Sequence, residues 1–169
     1  MDLKFGWFRV RNWKEYDIVS LAGHANNYKI WLNLRDSFPY PYTIDLAREW
    51  VTVAGIQPVM HYAIEVNGAA VGGIGFTQMD DVHRRSVEIG YWLGEDFWGR
   101  GIMSEAVKAV TGYAFINWDI SRIYAGVFEW NPASMRVLEK AGYKLDGILR
   151  KNVTKDGKII DEYVYSFIR

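Results

Sequence analysis

Apolar side chains recur every three to four residues in the N-terminal third of the chain, after a short stretch at Leu3–Val10 that predicts a strand. This period is typical of helices that bury one face, and it predicts helices over Lys14–Ala25 and Tyr28–Leu34. Thr43 is a typical N-cap residue, so a third helix is expected to begin after it. The apolar stripe of that helix consists of Ile44, Ala47, Trp50 and Val51.

In the rest of the chain the apolar period shortens to two, which is typical of strands with one buried face. The strands that this pattern predicts are His61–Val66, Ala70–Met79, Ser86–Leu93, Arg122–Phe128, Tyr143–Leu149 and Ile160–Ile168. Asn67-Gly68 joins the first two as a hairpin turn. Helices are predicted over Gly101–Trp118 and Pro132–Ala141, the second with an N-cap residue at Asn131. The fold class is therefore mixed α/β or α+β, with antiparallel hairpins and a parallel crossover through the Gly101–Trp118 helix.

Length and composition restrict what such a fold can do. A chain of 169 residues, half of them apolar, suits a single domain over residues 1–169. The absence of cysteine excludes disulfides, thiolate metal sites and a cysteine nucleophile, and it fits a reducing compartment. Twenty basic residues balance 20 acidic ones, so we expect neither nucleic acid nor a membrane as a partner. The three histidines lack the spacing of metal ligands, so no metal is expected.

The N-terminal residues lack the features of a signal peptide. No apolar run approaches the roughly 20 residues that a helix needs to span a bilayer. We therefore expect a cytoplasmic protein.

The segment with the clearest chemistry is the predicted strand Glu88–Leu93, followed by Trp98-Gly99-Arg100-Gly101 and the start of a helix. Glycine lets the main chain approach a ligand closely, and the first N–H groups of a helix have no partner within the helix. This combination suits a phosphate or pyrophosphate. A P-loop would need Gly-Lys-Ser/Thr, but Ile102-Met103 follows Gly101, and a dinucleotide-binding fold would need a third glycine. The alternative is that both glycines only make a tight turn.

Three segments, in this order along the chain, resemble the GNAT superfamily of N-acetyltransferases, and in particular its branch similar to ribosomal-protein N-terminal acetyltransferases that act on alanine or serine. They are the loop Phe38–Thr43, the strand, turn and helix start over Glu88–Ala106, and Asn131–Tyr143, which reads Asn-Pro-Ala-Ser-Met-Arg-Val-Leu-Glu-Lys-Ala-Gly-Tyr. The resemblance covers nearly the whole chain. It implies a mixed, mostly antiparallel, twisted sheet of about six to seven strands, flanked by helices, with a V-shaped splay between two central strands.

The resemblance also implies acetyl-CoA as the co-substrate and assigns residues to it. The pantetheine arm would pair with the main chain at Tyr91, Trp92 and Leu93. The pyrophosphate would bind main-chain N–H groups of the turn and the helix start, at Gly99, Arg100, Gly101, Ile102, Met103 and Ser104. Trp98 and Met103 replace a polar and a small residue of the family pattern, so no contact is carried over to their side chains.

Two further residues receive roles from the same resemblance. Ser134 would protonate the departing thiolate, and Asn131 would hydrogen-bond the cofactor. Glu88 is the candidate base, acting through a water, since the two-residue period of its strand places it on the face opposite its apolar neighbours. Each has a structural alternative, because Ser134 can satisfy a nearby main-chain group and Asn131 can be an N-cap. Glu88 can instead pair with one of the basic residues Arg84, Arg85 and Arg122.

The expected function is therefore direct transfer of an acetyl group to a primary amine, with a protein N-terminus as the acceptor that the branch suggests. A small amine such as an amino sugar, a polyamine or an aminoglycoside is an alternative acceptor. A non-catalytic acyl-CoA-binding module and a homodimer also remain open alternatives.

Overall fold

The computed structural model describes residues 1–169 and contains eight strands and five helices. The strands are β1 Asp2–Phe5, β2 Phe8–Asn12, β3 His61–Val66, β4 Ala69–Gln78, β5 Ser86–Leu93, β6 Arg122–Phe128, β7 Lys144–Lys155 and β8 Lys158–Ile168. The helices are α1 Ile18–Ala25, α2 Tyr28–Trp31, α3 Ile44–Ala54, α4 Ile102–Asn117 and α5 Pro132–Lys140. None of these helices is long and apolar enough to cross a membrane.

The strands are hydrogen-bonded in the order β1-β2-β3-β4-β5-β6-β8-β7. The pairs β1–β2, β2–β3, β3–β4, β6–β8 and β7–β8 are antiparallel, and β5–β6 is parallel. This confirms the predicted mixed, mostly antiparallel class and the parallel crossover, which passes through α4 as expected. The sheet has eight strands, one more than the upper end of the expected range.

The chain forms two compact units by its internal contacts. The first unit comprises residues 1–75 and 91–102, and the second unit comprises residues 76–90 and 103–169. The single domain over residues 1–169 stays a prediction.

The extra strand comes from a hairpin at the N-terminus. The prediction of one strand over Leu3–Val10 is wrong, because the chain reverses at Gly6-Trp7 and pairs Leu3 with Val10. Gly6 has a φ of +32°, which a glycine adopts without strain. The rings of Phe5 and Phe8 stack at the end of this hairpin, with centroids 4.5 Å apart.

The helices of the first unit begin later or end earlier than the apolar period predicts. Residues Glu15–Asp17 form a short 3-10 turn, and α1 begins only at Ile18. The helix α2 has four residues and ends at Trp31, whereas the predicted helix ends at Leu34. The Thr43 N-cap is confirmed, since its hydroxyl accepts from the main-chain N–H of Leu46 at 3.3 Å.

The predicted apolar stripe of α3 is correct only in part. Ala47 is fully buried, and Trp50 and Val51 are half-buried against the core of the first unit. Ile44 is 43% exposed and does not belong to the buried stripe, whereas Leu46 packs against the core.

The bounds of β3, β5 and β6 agree with the predicted ones, whereas β7 and β8 extend further toward each other. They meet at the two-residue turn Asp156-Gly157, where both residues have positive φ, 49° and 72°. In the second unit, α4 buries Ala106 and Val110, while Tyr113 is only half-buried. The second unit also buries a hydrogen bond between the hydroxyls of Thr111 and Tyr143, 2.6 Å apart.

A buried ion pair fixes the first unit where β2 meets the start of α1. The guanidinium of Arg11 donates to both carboxylate oxygens of Asp17, at 2.7 and 2.8 Å, and it also pairs with Glu65 on β3. The side chains of Arg11 and Asp17 are 4% and 0% exposed. Asp17 also accepts from the main-chain N–H of Lys14 at 2.8 Å, which caps the turn before α1. The hydrogen bond that Arg11 donates to Asp17, followed by the one it donates to Glu65, raises the pKa of Arg11, so the cation persists at any physiological pH.

We expect Asp17→Ala to lower the free energy of unfolding by about 3 kcal/mol, because it leaves a buried guanidinium with one carboxylate too few. The measurement is urea denaturation followed by far-UV circular dichroism. Asp2→Ala is the matched control, since its pair with Arg9 is exposed and should contribute little. Equal effects of the two substitutions would contradict the importance of the buried pair.

Candidate active site

The turn between β5 and α4 is built by the first unit. The main-chain N–H of Gly94 donates to the carbonyl of Val71 at 2.7 Å, and Glu95–Phe97 then make one 3-10 turn. The indole N–H of Trp98 donates back to the carbonyl of Leu93 at 2.7 Å. The Leu93 carbonyl, at the position where the sequence predicts pairing with pantetheine, therefore already accepts one hydrogen bond from within the chain.

The two glycines of the turn have the conformation that only glycine adopts readily. Gly99 and Gly101 have φ of +74° and +80°, and a Cβ built on either meets nothing within 4 Å. The side chains of Ile102 and Met103, by contrast, are buried. The apolar side chains therefore point inward, and an exposed main chain leads into the first turn of α4.

This arrangement presents main-chain donors at the start of a helix of 16 residues. The first N–H groups of such a helix lack intrahelical partners and carry partial positive charge. The geometry therefore suits a phosphate or pyrophosphate, as the sequence predicts.

Arg100 adds a side-chain cation beside this turn. Its guanidinium donates to the carbonyl of Asp96 at 2.7 Å and lies 5.4 Å from the ring centroid of Phe97. Two anchors thus hold an otherwise exposed side chain next to the glycines. The sequence predicts Arg100 as a main-chain ligand only, and it contains no signal for these side-chain contacts.

The turn is also tied to the start of α2. The carboxylate of Glu95 accepts from the Asn27 amide at 2.8 Å and pairs with the ammonium of Lys29. These hydrogen bonds, first that from Lys29, lower the pKa of Glu95. The carboxylate therefore stays ionised and keeps the turn attached near neutral pH.

The end of β5 is packed by aromatic side chains of the loop after α2. The ring of Phe38 lies 5.8 Å from that of Trp92 and 5.0 Å from that of Tyr42. A Cβ at Gly72 would lie only 2.6 Å from the carbonyl oxygen of Trp92, so β4 requires glycine there. Burial raises the pKa of Tyr42 to about 12, so its phenol stays protonated. The aromatic loop therefore fixes the position of the Tyr91–Leu93 segment.

In the second unit, Asn131 and Ser134 lie together at the start of α5. The side-chain oxygen of Asn131 accepts from the main-chain N–H of Ser134 at 3.1 Å, and Pro132 occupies the first turn. This is the N-cap that the sequence offers as the structural role of Asn131. This cap uses the side-chain oxygen of Asn131, and its amide nitrogen is a separate group of the same side chain.

Glu88 occupies the parallel pair β5–β6 of the second unit. Its neighbours Val87 and Ile89 are buried, while Glu88 itself is half-buried and therefore lies on the opposite face, as predicted. Of the arginines weighed as its partners, Arg122 pairs with Asp146, Arg85 pairs with Asp119, and Arg84 donates to the carbonyl of Asp81.

The parallel pairing between β5 and β6 is short. Its register comprises Ser86 with Arg122, Val87 with Ile123 and Glu88 with Tyr124. Residues 125–128 of β6 continue only as partners of β8. Glu88 thus marks the last register pair, where the predicted splay would begin.

The histidines and acidic residues form no group of three or more that could hold a metal ion. His61 packs against Trp50, with ring centroids 5.0 Å apart, and burial lowers its pKa. Its imidazole is therefore neutral near pH 7. His24 packs edge-on against Phe97 at 5.6 Å, beside the glycine turn.

A cavity of about 330 Å³ lies in the second unit at the N-terminal end of β5. Its lining residues are Gln78, Arg84, Arg85, Val87, Trp118, Asp119 and Ile120. None of them is a predicted site residue. The cavity is therefore separate from the chemistry expected at the other end of the strand.

A family model described as an acetyltransferase (GNAT) domain matches residues 8–144. The probable N-acetyltransferase YjcK of Bacillus subtilis is 49% identical over 80 residues, which are 47% of this chain and 44% of that protein. The putative ribosomal N-acetyltransferase YdaF of Bacillus subtilis is 29% identical over 125 residues, 74% of this chain and 66% of that protein. This chain spans about half the length of several curated relatives that it matches.

Among solved structures, a RimL ribosomal alpha-N-protein acetyltransferase in complex with coenzyme A aligns with a TM-score of 0.87. It is 23% identical in sequence, and the alignment covers 99% of this chain and 98% of that chain. This likeness shows the fold.

We expect Trp98→Phe to lower the free energy of unfolding by about 1 kcal/mol, because the Leu93 carbonyl loses its donor while most of the ring packing is kept. Urea denaturation followed by far-UV circular dichroism measures this change. Trp7→Phe is the control, since Trp7 is 49% exposed at the turn of the first hairpin. If the two substitutions have the same effect, the indole hydrogen bond does not stabilise the glycine turn.

Proposed function

Because the chain belongs to the acetyltransferase (GNAT) domain family, we propose that it transfers an acetyl group from acetyl-CoA directly to a primary amine. Membership confirms the family resemblance of the sequence. The observation that carries the proposal is the exposed turn in which Gly99 and Gly101, both with positive φ, lead into the first turn of α4. Its N–H groups, from Gly99 to Ser104, would bind the pyrophosphate of acetyl-CoA.

The remaining cofactor contacts follow from the strand before the turn. The main chain at Tyr91 and Trp92, together with the N–H of Leu93, would hold the pantetheine arm as an added strand does. The guanidinium of Arg100, held next to the glycines, would add a charged donor for a phosphate oxygen. The solved RimL structure with coenzyme A supports this class of cofactor.

Direct transfer requires that the amine nitrogen attack the thioester carbon, that the C–S bond break and that the thiolate receive a proton. Ser134 would supply that proton, and the start of α5 favours negative charge nearby. Asn131 caps this helix with its oxygen and can offer its amide N–H groups to the cofactor. Glu88 would accept the proton of the amine through a water.

The acceptor that we propose is the N-terminal amine of a protein. The similarity to a putative ribosomal N-acetyltransferase, YdaF, supports this choice. Small amines are the other class, and a spermidine acetyltransferase of Escherichia coli is also similar, at 22% identity over 132 residues. The cytoplasmic location expected from the sequence stays a prediction.

The first test is titration calorimetry with acetyl-CoA and CoA, together with an assay of thiol release on N-terminal serine and alanine peptides, spermidine and glucosamine. We expect binding of both cofactor forms and thiol release with at least one amine. Binding without turnover on any of them would favour a non-catalytic acyl-CoA-binding module. The absence of binding would refute the proposal.

We expect Gly101→Val to abolish CoA binding, because a branched side chain at a φ of +80° would distort the main chain that faces the phosphates. Gly68→Val is the matched control, since Gly68 has a φ of +83° and open space in the β3–β4 hairpin turn. It imposes similar strain away from the turn before α4. Retained CoA affinity in Gly101→Val would contradict the phosphate site.

Ser134→Ala should lower kcat by about 10- to 1,000-fold with little change in CoA affinity, since it removes only the proton donor to the thiolate. Ser20→Ala is the matched control, because Ser20 also lies in the first turn of a helix and its hydroxyl donates to the carbonyl of Asp17. Steady-state kinetics and calorimetry measure both effects. Unchanged turnover in Ser134→Ala would remove Ser134 from the mechanism.

A further inference from the structure

Glu162 on β8 is held in an unusual position over β6. A Cβ built on Gly126 would overlap the carboxylate oxygen Oε1 and would lie 2.8 Å from the carboxyl carbon of Glu162. Real Cβ atoms essentially never come this close to another atom, so the carboxylate can lie there only because residue 126 is glycine. The amide of Asn152 on β7 donates to the other oxygen, Oε2, at 2.7 Å. One oxygen is thus fixed by a hydrogen bond, and the other lies over a bare main chain.

The position of Gly126 places this carboxylate on the same face of the second unit as Glu88. Glu88 is the register partner of Tyr124 in the parallel pair, and Gly126 follows Tyr124 by two residues. Residues two apart on a strand share a face. The opposite face of β6 buries Ile123, Ala125 and Val127, whereas Tyr124, Gly126 and Glu162 are half-buried. The carboxylate therefore lies on the accessible face.

The Glu162 carboxylate also lies further along β6 than the residues of β6 that pair with β5. The β5–β6 register ends at Glu88 and Tyr124, and Gly126 lies beyond this end. Glu162 therefore reaches over the part of β6 that is hydrogen-bonded only to β8. If the proposed function holds, this is the level at which the thioester would enter.

The neighbouring acidic residues instead accept hydrogen bonds from the main chain of the β7–β8 hairpin. The carboxylate of Asp161 accepts from the main-chain N–H of Lys151 at 2.8 Å. The carboxylate of Glu129 accepts from the main-chain N–H of Asp161 at 3.0 Å. Both therefore stabilise the β7–β8 backbone, unlike Glu162, whose hydrogen bond comes from a side chain.

We propose that Glu162 binds the ammonium group of the acceptor before transfer, an inference that rests on the proposed function. An ionised carboxylate only accepts hydrogen bonds, and an ammonium group only donates them. Such charge-assisted bonds are shorter and stronger than neutral ones. Glu88 on the same face adds negative charge, so an amine with a carboxylate next to the nitrogen is repelled. The acceptor class is thus a cationic amine without an adjacent carboxylate, as in a peptide N-terminus or a polyamine.

The test is Glu162→Gln, which keeps the size of the side chain and the acceptor for Asn152 but removes the charge. We expect KM for an N-terminal serine peptide or spermidine, whichever the wild-type chain acetylates, to rise about 10- to 100-fold. KM for acetyl-CoA and the calorimetric affinity for CoA should not change. Titration of the same amine into the CoA-saturated chain should show the same loss, independently of turnover.

Gly126→Ala is the second variant, because its Cβ must displace the carboxylate while Glu162 itself is retained. We expect the same rise in KM for the amine. Glu139→Gln is the matched control, since Glu139 accepts from the hydroxyl of Tyr165 at 3.1 Å and lies on α5. It should leave both KM values unchanged.

The outcomes separate this inference from the proposed function. Absence of thiol release by the wild-type chain with every amine would refute the function, and the inference with it. Turnover in the wild-type chain with an unchanged KM for the amine in Glu162→Gln would refute the inference alone. Loss of CoA affinity in Glu162→Gln would also overturn it, because the carboxylate would then serve the cofactor or the fold.

Discussion

The first N–H groups of a helix cannot be satisfied within that helix, and the candidate site depends on this constraint. At the start of α4, Gly99 and Gly101 are exposed and have positive φ, whereas the side chains of Ile102 and Met103 are buried. Two hydrogen bonds keep the turn in place, from the Trp98 indole to Leu93 and from Asn27 to Glu95. The anion-binding geometry is therefore a property of main chain, and side chains serve to fix it.

A second constraint comes from the two-residue period of strands. In the second unit it separates a buried face, with Val87, Ile89 and Ile123, from an accessible face that carries Glu88 and Tyr124. The apolar face stabilises the unit by excluding water, so the accessible face can carry carboxylates without the cost of full burial. The buried side of these strands thus stabilises the unit, and the proposed chemistry belongs to their accessible side.

Features that depend on local sequence were predictable. Patterns within about ten residues predict the strands β3, β5 and β6, the Thr43 cap, the Asn131 cap and the glycine turn. The N-terminal hairpin was missed, because Leu3–Val10 contains no strong turn dipeptide and its apolar residues suit one strand equally well. The indole bond of Trp98 was missed because the turn that brings its ring back to Leu93 forms only in the folded chain.

Glu162 shows most clearly where sequence analysis stops. Its position depends on three strands, since Gly126, Asn152 and Glu162 come from β6, β7 and β8, and Asn152 lies where the β7–β8 register shifts. No local sequence pattern indicates that Gly126, 36 residues before Glu162, leaves room for the Glu162 carboxylate. Cofactor recognition through main chain needs only a turn and a helix start, which a short motif encodes. Recognition of the acceptor needs side chains from separate strands, so a family pattern can predict the reaction and still leave the amine undetermined.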